Sequence, residues 1–310
     1  MNVLKTVDLQ GFGKKYSGKV RDYYVVDGKR ILITTDRISA FDRILGCIPY
    51  KGHVLNQLSA FWFEHTADII DNHVIFIPDP NVTIAKNAQP IPIEMVVRGY
   101  ITGVTGTSIW GSYEQGQRVI YGIKFPEGLK KNQKLPHPVI TPTTKAEVGH
   151  DERLTREEII EKKIVPKDVY EQMEDAALRI FQRGTEICNN QGLLLADTKY
   201  EFGLINDNVI IIDEVHTPDS SRFWIKETYD TLPAKGEEPE NFDKEFLRIW
   251  FKDHGYTGDG EPPTMPDNFI LQVSQRYKDV FEKITGKKIV IDESQPIEER
   301  IAKNLKSYGG

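Results

Sequence analysis

The chain of 310 residues is long enough for two lobes, so one simple core is not the default expectation. Hydrophobic residues make up 39% and charged residues 28%, a balance that excludes disorder for the bulk of the chain. The formal net charge of −6 argues against nonspecific binding to nucleic acid or to an anionic membrane, but leaves room for a local basic pocket.

Cysteine usage and the N-terminus bear on the cellular compartment. Cys47 and Cys188 are far apart in sequence and lack metal-ligand spacing, which excludes a disulfide framework and favours a reducing compartment. The N-terminus has no apolar segment of the signal-peptide kind, and no window approaches the length of a membrane span. We therefore expect a cytoplasmic protein.

A β-hairpin is predicted near the N-terminus, with strands at 23–26 and 30–35 joined by an Asp-Gly turn. A Gly-Lys-Val-Arg segment leads into it. Gly18 would let the backbone approach a ligand closely, and Lys19 and Arg21 are expected to point to one face. Two cations beside a flexible glycine suit a polyphosphate, and a basic edge strand that prevents aggregation is the alternative.

The next two segments are predicted to be a polar loop and a helix. Residues 35–42, Thr-Asp-Arg-Ile-Ser-Ala-Phe-Asp, follow a buried strand as a loop of the kind that often carries function, with helix capping as the alternative. A helix is predicted from 51–52, because its apolar residues recur at spacings of three and four. These residues, which we interpret as core, are Leu55, Leu58, Phe61 and Trp62.

The middle of the chain is predicted to connect two lobes. Residues 90–98 form an apolar strand flanked by proline, and it ends at Arg98. Residues 99–116 are rich in Gly, Thr and Ser, so they are either a backbone wrap around a small polar ligand or a surface loop. Four prolines indicate irregular structure over 124–151.

Helical signals dominate the second half of the chain. Thr155 and Glu158 have the spacing of a capping box, and Pro166 precedes a long amphipathic helix that ends near 189–192. Further helices are predicted at 242–254, 268–285 and 296–306. An acidic loop at 237–243 is interpreted as solvated surface. The fold class that follows is α+β, with a β-rich N-terminal lobe (1–97), an α/β C-terminal lobe (98–310) and a nucleotide cleft between them.

The stretch 192–224 is the most informative part of the sequence. Its first half alternates as a strand, which places Asp197, Lys199 and Glu201 on one face. After a polar turn, residues 209–215 are predicted to return as the second strand of a hairpin.

The register of this hairpin decides which acids meet. A three-residue loop at 206–208 is expected to place Asp213 opposite Glu201. A two-residue loop is expected to place Glu214 opposite Glu201 instead. Two carboxylates across a ladder repel each other, and Mg²⁺ between them would remove that cost. Two solvated acids on an edge hairpin are the alternative, which the apolar run 209–212 disfavours.

Common catalytic motifs are missing from the sequence. It has no Walker loop, no Gly-x-Gly-x-x-Gly fingerprint, no HEXXH pair and no nucleophile elbow. The seven histidines are scattered, and we interpret each as structural or exposed.

Five motifs together resemble the SAICAR synthetase family of purine biosynthesis. They are Gly-Lys-Val-Arg-Asp at 18–22, Thr-Asp-Arg-Ile-Ser-Ala-Phe-Asp at 35–42, Val-Arg-Gly-Tyr-Ile-Thr-Gly at 97–103, Ala-Asp-Thr-Lys-Tyr-Glu-Phe-Gly at 196–203 and Asp-Glu-Val-His-Thr-Pro-Asp-Ser-Ser-Arg-Phe-Trp at 213–224. The last two motifs at this spacing are the most specific, and the resemblance continues through the C-terminal helices.

The resemblance implies an ATP- and Mg²⁺-dependent ligase with a two-lobed fold similar to that of protein kinases. It would join the carboxylate of carboxyaminoimidazole ribonucleotide (CAIR) to the amine of L-aspartate, releasing ADP and phosphate, with an acyl phosphate as the usual expectation. The substrates are small molecules, and the oligomeric state stays open. A phosphotransferase acting on another small molecule and a nucleotide-binding module without turnover are the alternatives.

The resemblance also implies roles for individual residues. The phosphate-contacting loop is matched by Gly18, Lys19 and Arg21, the adenine connector by Glu94 to Val96, the Mg²⁺-binding acids by Glu201 and Asp213, and the ribonucleotide site by Arg98, Ser108, Lys199, Asp219, Ser221 and Arg222. Lys199 and Asp213 are the expected catalytic residues. Thr105 and Thr107 are alternatives to Ser108, Lys145 receives no role, and the L-aspartate site stays open.

Overall fold

The computed structural model describes residues 2–103, 107–145, 151–229, 231 and 238–306. The helices are α1 (Lys51–His65), α2 (Ile109–Glu114), α3 (Arg156–Glu161), α4 (Lys167–Asn190), α5 (Lys226–Tyr229), α6 (Glu245–Asp253), α7 (Asp267–Thr285) and α8 (Ile297–Leu305). The strands are β1 (Lys15–Ser17), β2 (Arg21–Val26), β3 (Lys29–Thr34), β4 (Arg37–Ala40), β5 (Arg43–Cys47), β6 (Val74–Asp79), β7 (Val82–Lys86), β8 (Gln89–Tyr100), β9 (Val119–Ile120), β10 (Ile123–Lys124), β11 (Lys134–Ile140), β12 (Thr143–Thr144), β13 (Leu193–Ile205), β14 (Asn208–Ile212) and β15 (Ser221–Ile225).

The N-terminal part forms a five-stranded antiparallel sheet in the order β1-β2-β3-β7-β6. The predicted hairpin is confirmed as β2 and β3, and both turn residues, Asp27 and Gly28, have positive φ angles. The inner face buries Tyr24 and Ile33 against apolar residues of α8 such as Ile301. The last helix of the chain therefore packs on the first sheet.

The sequence analysis predicted a loop at 35–42, and this prediction is wrong. The centre of this segment is β4, which pairs with β5 in a two-stranded sheet. Ile38 and Ala40 are buried while Arg37 and Ser39 alternate with them, so the polar composition concealed a pattern of period two. The predicted helix that follows is confirmed as α1.

A second, six-stranded sheet is built on the long strands β8 and β13, in the order β11-β8-β13-β14. β12 pairs with β8, and β15 pairs with β13. The largest cluster of buried apolar side chains joins this sheet to α1, α4 and α7. Both long strands are therefore held from both sides, which gives a rigid platform for their polar residues.

Several boundaries of the second half are confirmed, and others change. The capping box holds α3, since the Thr155 hydroxyl accepts from the Glu158 amide at 3.1 Å and the Glu158 carboxylate accepts from the Thr155 amide at 2.9 Å. The span 124–151 is less irregular than predicted, because it contains β11 and β12, although 146–150 lie outside the described residues. The α+β class is confirmed, whereas the lobe boundary predicted between 97 and 98 falls inside β8 and stays a prediction.

The predicted register of the central hairpin is wrong. The loop contains only Asn206 and Asp207, both with positive φ, and Glu201 lies opposite Ile212. Asn and Asp tolerate this left-handed conformation, and such two-residue turns match the twist of the flanking strands. Glu201 therefore pairs with neither Asp213 nor Glu214. Shortening the loop by one residue moves its partner from position 213 to position 212, whereas the sequence analysis expected a move to 214.

His216 is a structural histidine, as predicted. The ring of His216 is fully buried, contacts Trp62 and hydrogen-bonds the hydroxyl of Tyr200 through Nε2. A Cβ atom added at Gly184 would lie only 2.1 Å from that ring, so this helix position requires glycine. Burial lowers the pKa of His216 to about 3.

We expect His216→Gln to weaken the acid sensitivity of folding. Between its ordinary pKa of 6.5 and about 3, the imidazole binds a proton in the unfolded chain but not in the folded one, so stability falls as the pH falls through this window. Each such histidine contributes a slope of about 1.4 kcal/mol per pH unit. The variant should be less stable at neutral pH, and its deficit should narrow on acidification in urea unfolding. His254→Gln, at an exposed ring, should retain the wild-type slope; parallel curves for wild type and His216→Gln would contradict the prediction.

Candidate active site

The central pair of strands brings two buried glutamates face to face. Glu94 on β8 lies directly opposite Glu201 on β13, so the like-charged pair expected in this region exists, but with Glu94 where Asp213 was predicted. The ammonium of Lys199 lies 3.0 Å from Glu201 Oε1 and also contacts Glu94. Lys145, to which the sequence gave no role, contacts the second oxygen of Glu201. Two lysines therefore neutralise the repulsion across this ladder.

The protonation states of this cluster follow from burial and its charges. Burial opposes ionisation of Glu201, yet Lys199 and Lys145 together lower its pKa to about 2. Burial likewise opposes the charged form of Lys199, but Glu201, Glu94 and Asp213 raise its pKa. Burial raises the pKa of Glu94. At neutral pH the cluster thus presents an ionised Glu201 and a protonated Lys199.

Arg21 connects the first sheet to the acids after β14. Its Nη1 atom lies 2.5 Å from Asp213 Oδ1, and its Nη2 atom lies 2.6 Å from Glu214 Oε2. Asp213 has a φ of 69°, a left-handed conformation that ends the strand and turns its carboxylate out of the ladder toward Arg21. Burial opposes the charged form of Arg21, but Asp213, Glu214 and Glu201 raise its pKa above the ordinary value. Asp213 therefore pairs with Arg21, whereas Glu201 pairs with Lys199 and Lys145.

Lys19 and Arg21, predicted to share a face, contact different acids. Lys19 lies between β1 and β2, is exposed, and its ammonium is 2.6 Å from Asp42 Oδ1. Arg21 points inward, as described above. The Gly18 amide donates to the Arg21 carbonyl at 2.8 Å. Gly18 is exposed, so the loop that connects β1 and β2 faces solvent.

The predicted adenine connector runs along β8 beside this cluster. Val96 lies opposite Lys199 and is half-buried, and its carbonyl accepts from the Thr141 amide at 2.8 Å. Glu94 accepts from the Thr143 hydroxyl at 3.3 Å in addition to its contact with Lys199. The adenine assignment of these residues stays a prediction.

Two guanidinium groups of the predicted ribonucleotide site share one carboxylate. Arg98 Nη1 lies 3.2 Å from Asp197 Oδ2, and Arg222 contacts the same oxygen. Arg98 is further fixed by the hydroxyl of Thr141, which accepts from its Nε at 2.9 Å. The Ser221 hydroxyl is bonded to that of Thr198 at 2.7 Å. Sequence reasoning placed Asp197 on the right face but gave it no role.

Ser108 is the helix N-cap of α2, where its hydroxyl accepts from the Gly111 amide at 3.3 Å. A Cβ atom added at Gly103 would lie 2.8 Å from Ser108 Cβ and 3.8 Å from Arg222 Nη1, so the chain passes close to both. The carbonyl of Thr107 accepts from Arg98, whereas Thr105 lies outside the described residues.

Asp219 lies in a buried cluster of charges. Its Oδ2 atom is 2.9 Å from the ammonium of Lys51 and 3.2 Å from that of Lys244, and its Oδ1 atom accepts from the Tyr277 hydroxyl at 2.6 Å. Its carboxylate is thus bound by three protein groups, and its ribonucleotide assignment stays a prediction. Lys51 and Lys244 were not identified from the sequence.

Two adjoining cavities share Arg222 and Arg248 in their walls. The larger, of about 230 Å³, lies between Phe41, Gly103 and Trp224 and the face of α6. The smaller, of about 100 Å³, is lined mainly by polar groups that include Asp219 and Lys244. The larger cavity has more basic than acidic side chains and suits an anionic ligand, whereas the smaller one is lined equally by acids and cations.

The part of the predicted acidic loop that the structure describes, 238–243, is not simply solvated surface, which corrects the sequence interpretation; residue 237 lies outside the described residues. Asp243 is buried and accepts from the amides of Phe223 at 3.1 Å and Glu245 at 2.7 Å. Burial raises its pKa to about 7, against the opposing effect of Arg222. Asp243 lies two residues before α6, where a short acidic side chain can accept from the amide two residues on, and this local bond was the available signal.

The paired acids, the surrounding cations and the polar cavities suit the binding of an anionic small molecule. Comparison with known proteins makes this specific. Residues 14–263 match the family model described as SAICAR synthetase. A putative phosphoribosylaminoimidazole-succinocarboxamide synthase 2 of Agrobacterium fabrum is 48% identical over 99% of both chains, and a phosphoribosylaminoimidazole-succinocarboxamide synthase of Legionella pneumophila is 48% identical over 96% of both.

Solved structures agree with these relatives. SAICAR synthase from Saccharomyces cerevisiae, solved in complex with SAICAR, is 31% identical with a TM-score of 0.81, covering 93% of this chain and 100% of the yeast chain. A SAICAR synthetase solved in complex with ADP has the same fold, with a TM-score of 0.68 at 23% identity over 90% of this chain and 100% of its own.

The chain belongs to the SAICAR synthetase family, as the sequence motifs predicted. It is a ligase of purine biosynthesis that uses ATP to join CAIR to L-aspartate. Across the part of the chain that the structure describes, every helix is too short or too polar to span a bilayer.

Proposed function

We propose that the chain carries out this ligation through an acyl phosphate, in the region where Arg21 meets the β8–β13 platform. An oxygen of the CAIR carboxylate attacks the γ-phosphorus of ATP, the bond to the bridging oxygen breaks, and ADP leaves. The amine of L-aspartate then attacks the acyl carbon, loses a proton and expels phosphate. The observation that carries the proposal is that Arg21 lies 2.5 Å from Asp213 while Lys199 lies 3.0 Å from Glu201, so that each predicted metal ligand is held beside a cation.

Electrostatic positioning suffices for this chemistry, which needs no protein nucleophile. Arg21 is held by two carboxylates and presents a fixed charge to the ATP phosphates, while Gly18 and the exposed Lys19 close over them from the loop. Glu94 and Val96 supply the edge of β8 for adenine. Lys199 is the catalytic cation beside the reacting carboxylate.

Glu201 and Asp213 fit the requirements of a magnesium site. Both offer hard carboxylate oxygens, and Glu201 stays ionised despite its burial. No group of three or more metal-ligating side chains is gathered among the described residues, so phosphate oxygens and water would complete the coordination. Bound there, Mg²⁺ would neutralise negative charge on the phosphates.

The ribonucleotide is assigned to the side of the platform that carries Arg98 and Arg222. Their planar guanidinium groups suit the ribose phosphate, and Ser108, Ser221 and Asp219 border the same region. L-aspartate, the second anionic substrate, approaches the acyl carbon from the adjoining cavity.

The remaining assignments concern the whole molecule. We assign residues 1–97 to the phosphate-binding lobe and 98–310 to the lobe with the metal and ribonucleotide sites. The two free cysteines and the small-molecule substrates support a cytoplasmic location.

ADP release should require ATP, Mg²⁺, CAIR and L-aspartate together. Leaving out one component at a time tests the ligase reaction, and a succinocarboxamide product identifies it. ADP formed without L-aspartate would instead indicate a phosphotransferase or hydrolase on this fold.

We expect Asp213→Asn to reduce kcat by about 100-fold, as for the loss of one preorganised electrostatic contact. Folding should change little, because Arg21 retains Glu214. The half-saturating Mg²⁺ concentration should rise in the same titration. Asp207→Asn, in the exposed turn of the same hairpin, is the matched control and should behave as wild type. Near wild-type turnover of Asp213→Asn would refute the metal assignment.

We expect Arg222→Lys to raise KM for CAIR by about tenfold, equivalent to about 1.4 kcal/mol, because a point charge replaces a planar fork. The KM for ATP should stay near the wild-type value. Arg179→Lys on the exposed face of α4 controls for the substitution itself. An unchanged KM for CAIR would remove Arg222 from the ribonucleotide site.

A further inference from the structure

Lys51 occupies a position that its residue type does not favour. It is the first residue of α1 and yet its side chain is completely buried. The N-terminus of a helix carries positive partial charge and favours acids, but the first turn of α1 contains none. Lysine is almost never fully buried unless it is paired. Such departures from local rules are expected at functional sites.

The ion pair of Lys51 is made with Asp219, a residue already assigned to the ribonucleotide region. The Lys51 ammonium lies 2.9 Å from Asp219 Oδ2, and Lys244, the N-cap residue of α6, lies 3.2 Å from the same oxygen. Tyr277 on α7 donates to the other oxygen at 2.6 Å. Groups from α1, α6 and α7 therefore meet on one carboxylate.

Asp219 lies within a tight turn, 217–222, that leads from the end of the central hairpin into β15. The carbonyl of Ser220 accepts from the Lys199 amide at 3.0 Å, and the Ser221 amide donates to the Thr217 carbonyl at 2.9 Å. Arg222 follows at once and reaches Asp197. The location of the Asp219 carboxylate thus fixes a turn that is bonded to the catalytic strand and carries the ribonucleotide-binding residues.

We propose that Lys51 is a positioning residue of the ligation reaction. Its ammonium holds Asp219, and with it the turn 217–222, so that Ser221 and Arg222 line the cavity that receives the ribonucleotide. This inference rests on the proposed function for its choice of substrate. Lys51 itself lies beneath the turn and contacts no substrate.

The charge of Asp219 depends on the groups around it. Lys51, Lys244 and Tyr277 act on its carboxylate, Glu214 interacts with it electrostatically, and Asp243 and Arg248 line the same small cavity. Burial disfavours the charged carboxylate, but Lys244 and Lys51 hold the pKa of Asp219 well below its ordinary value. If the ammonium of Lys51 is removed, only Lys244 remains as a cation that counteracts the effect of burial. The pKa of Asp219 therefore rises.

The test is steady-state kinetics of Lys51→Met, which keeps the length of the side chain and removes its charge. We expect KM for CAIR to rise by about tenfold or more, with KM for ATP changed by less than about twofold. The acid limb of the pH profile of kcat/KM for CAIR should move to higher pH, a change that loss of packing alone does not produce. Equal increases in the KM values of CAIR and ATP, or an unchanged KM for CAIR in folded protein, would overturn the proposal.

Two further variants separate positioning from stability. Arg300→Met breaks a buried ion pair of the same kind, 2.9 Å from Asp79 and away from the cavity. It should lower the unfolding midpoint while both KM values and the pH profile stay at wild-type values. In Lys51→Met/Asp219→Asn the titrating carboxylate is gone, so the displaced acid limb should disappear; its persistence would show that another group is responsible.

A milder change covers the case in which Lys51→Met does not fold. Tyr277→Phe removes only the hydrogen bond to Asp219 Oδ1 and should raise KM for CAIR selectively, by a smaller factor. No increase would count against the proposal. The two levels of the argument fail differently: wild-type protein without CAIR-dependent turnover refutes the proposed function and this inference with it, whereas normal wild-type turnover with insensitive variants refutes the inference alone.

Discussion

The site depends on the neutralisation of Glu94 and Glu201, which face each other across the β8–β13 ladder. Like charges directly opposite each other destabilise a sheet, and removing both carboxylates from water costs further free energy. Lys199 offsets both effects because it lies two residues from Glu201 on the same strand face and reaches both carboxylates. The arrangement keeps Glu201 ionised in a buried setting. Ligand-binding charge is thus maintained by the protein before any ligand arrives.

Arg21, on the first sheet, neutralises a second pair of acids. One guanidinium satisfies Asp213 and Glu214, two adjacent acids that would otherwise repel each other at the end of β14. Because Arg21 belongs to β2, this contact also joins the N-terminal sheet to the platform of the second sheet. Binding of an anionic phosphate beside Arg21 would therefore act directly on how the two sheets are held together, which links substrate binding to the packing of the molecule.

The sequence predicted much of the fold but missed features that depend on single backbone angles or on burial. Periodicity identified α1, α4 and α7, because apolar faces repeat over many residues, and the Asp-Gly turn identified the β2–β3 hairpin. The hairpin register failed because it rests on one loop residue, and the left-handed turn at Asp213 has no periodic signal. Lys51 and Asp243 were missed for another reason: a charged residue in a polar stretch looks solvated until tertiary packing encloses it.

The shared use of Asp197 by Arg98 and Arg222 shows why motif residues need their supporting acid. Two guanidinium groups repel each other, so without a carboxylate between them they would not stay together in a buried site. Asp197 removes this repulsion, and the Thr141 hydroxyl and the Thr107 carbonyl hold Arg98 from its other nitrogens. The acid therefore preorganises a pair of cations for a doubly charged ligand. The motif that contains Asp197 and Lys199 thus serves both halves of the site from a single rigid strand.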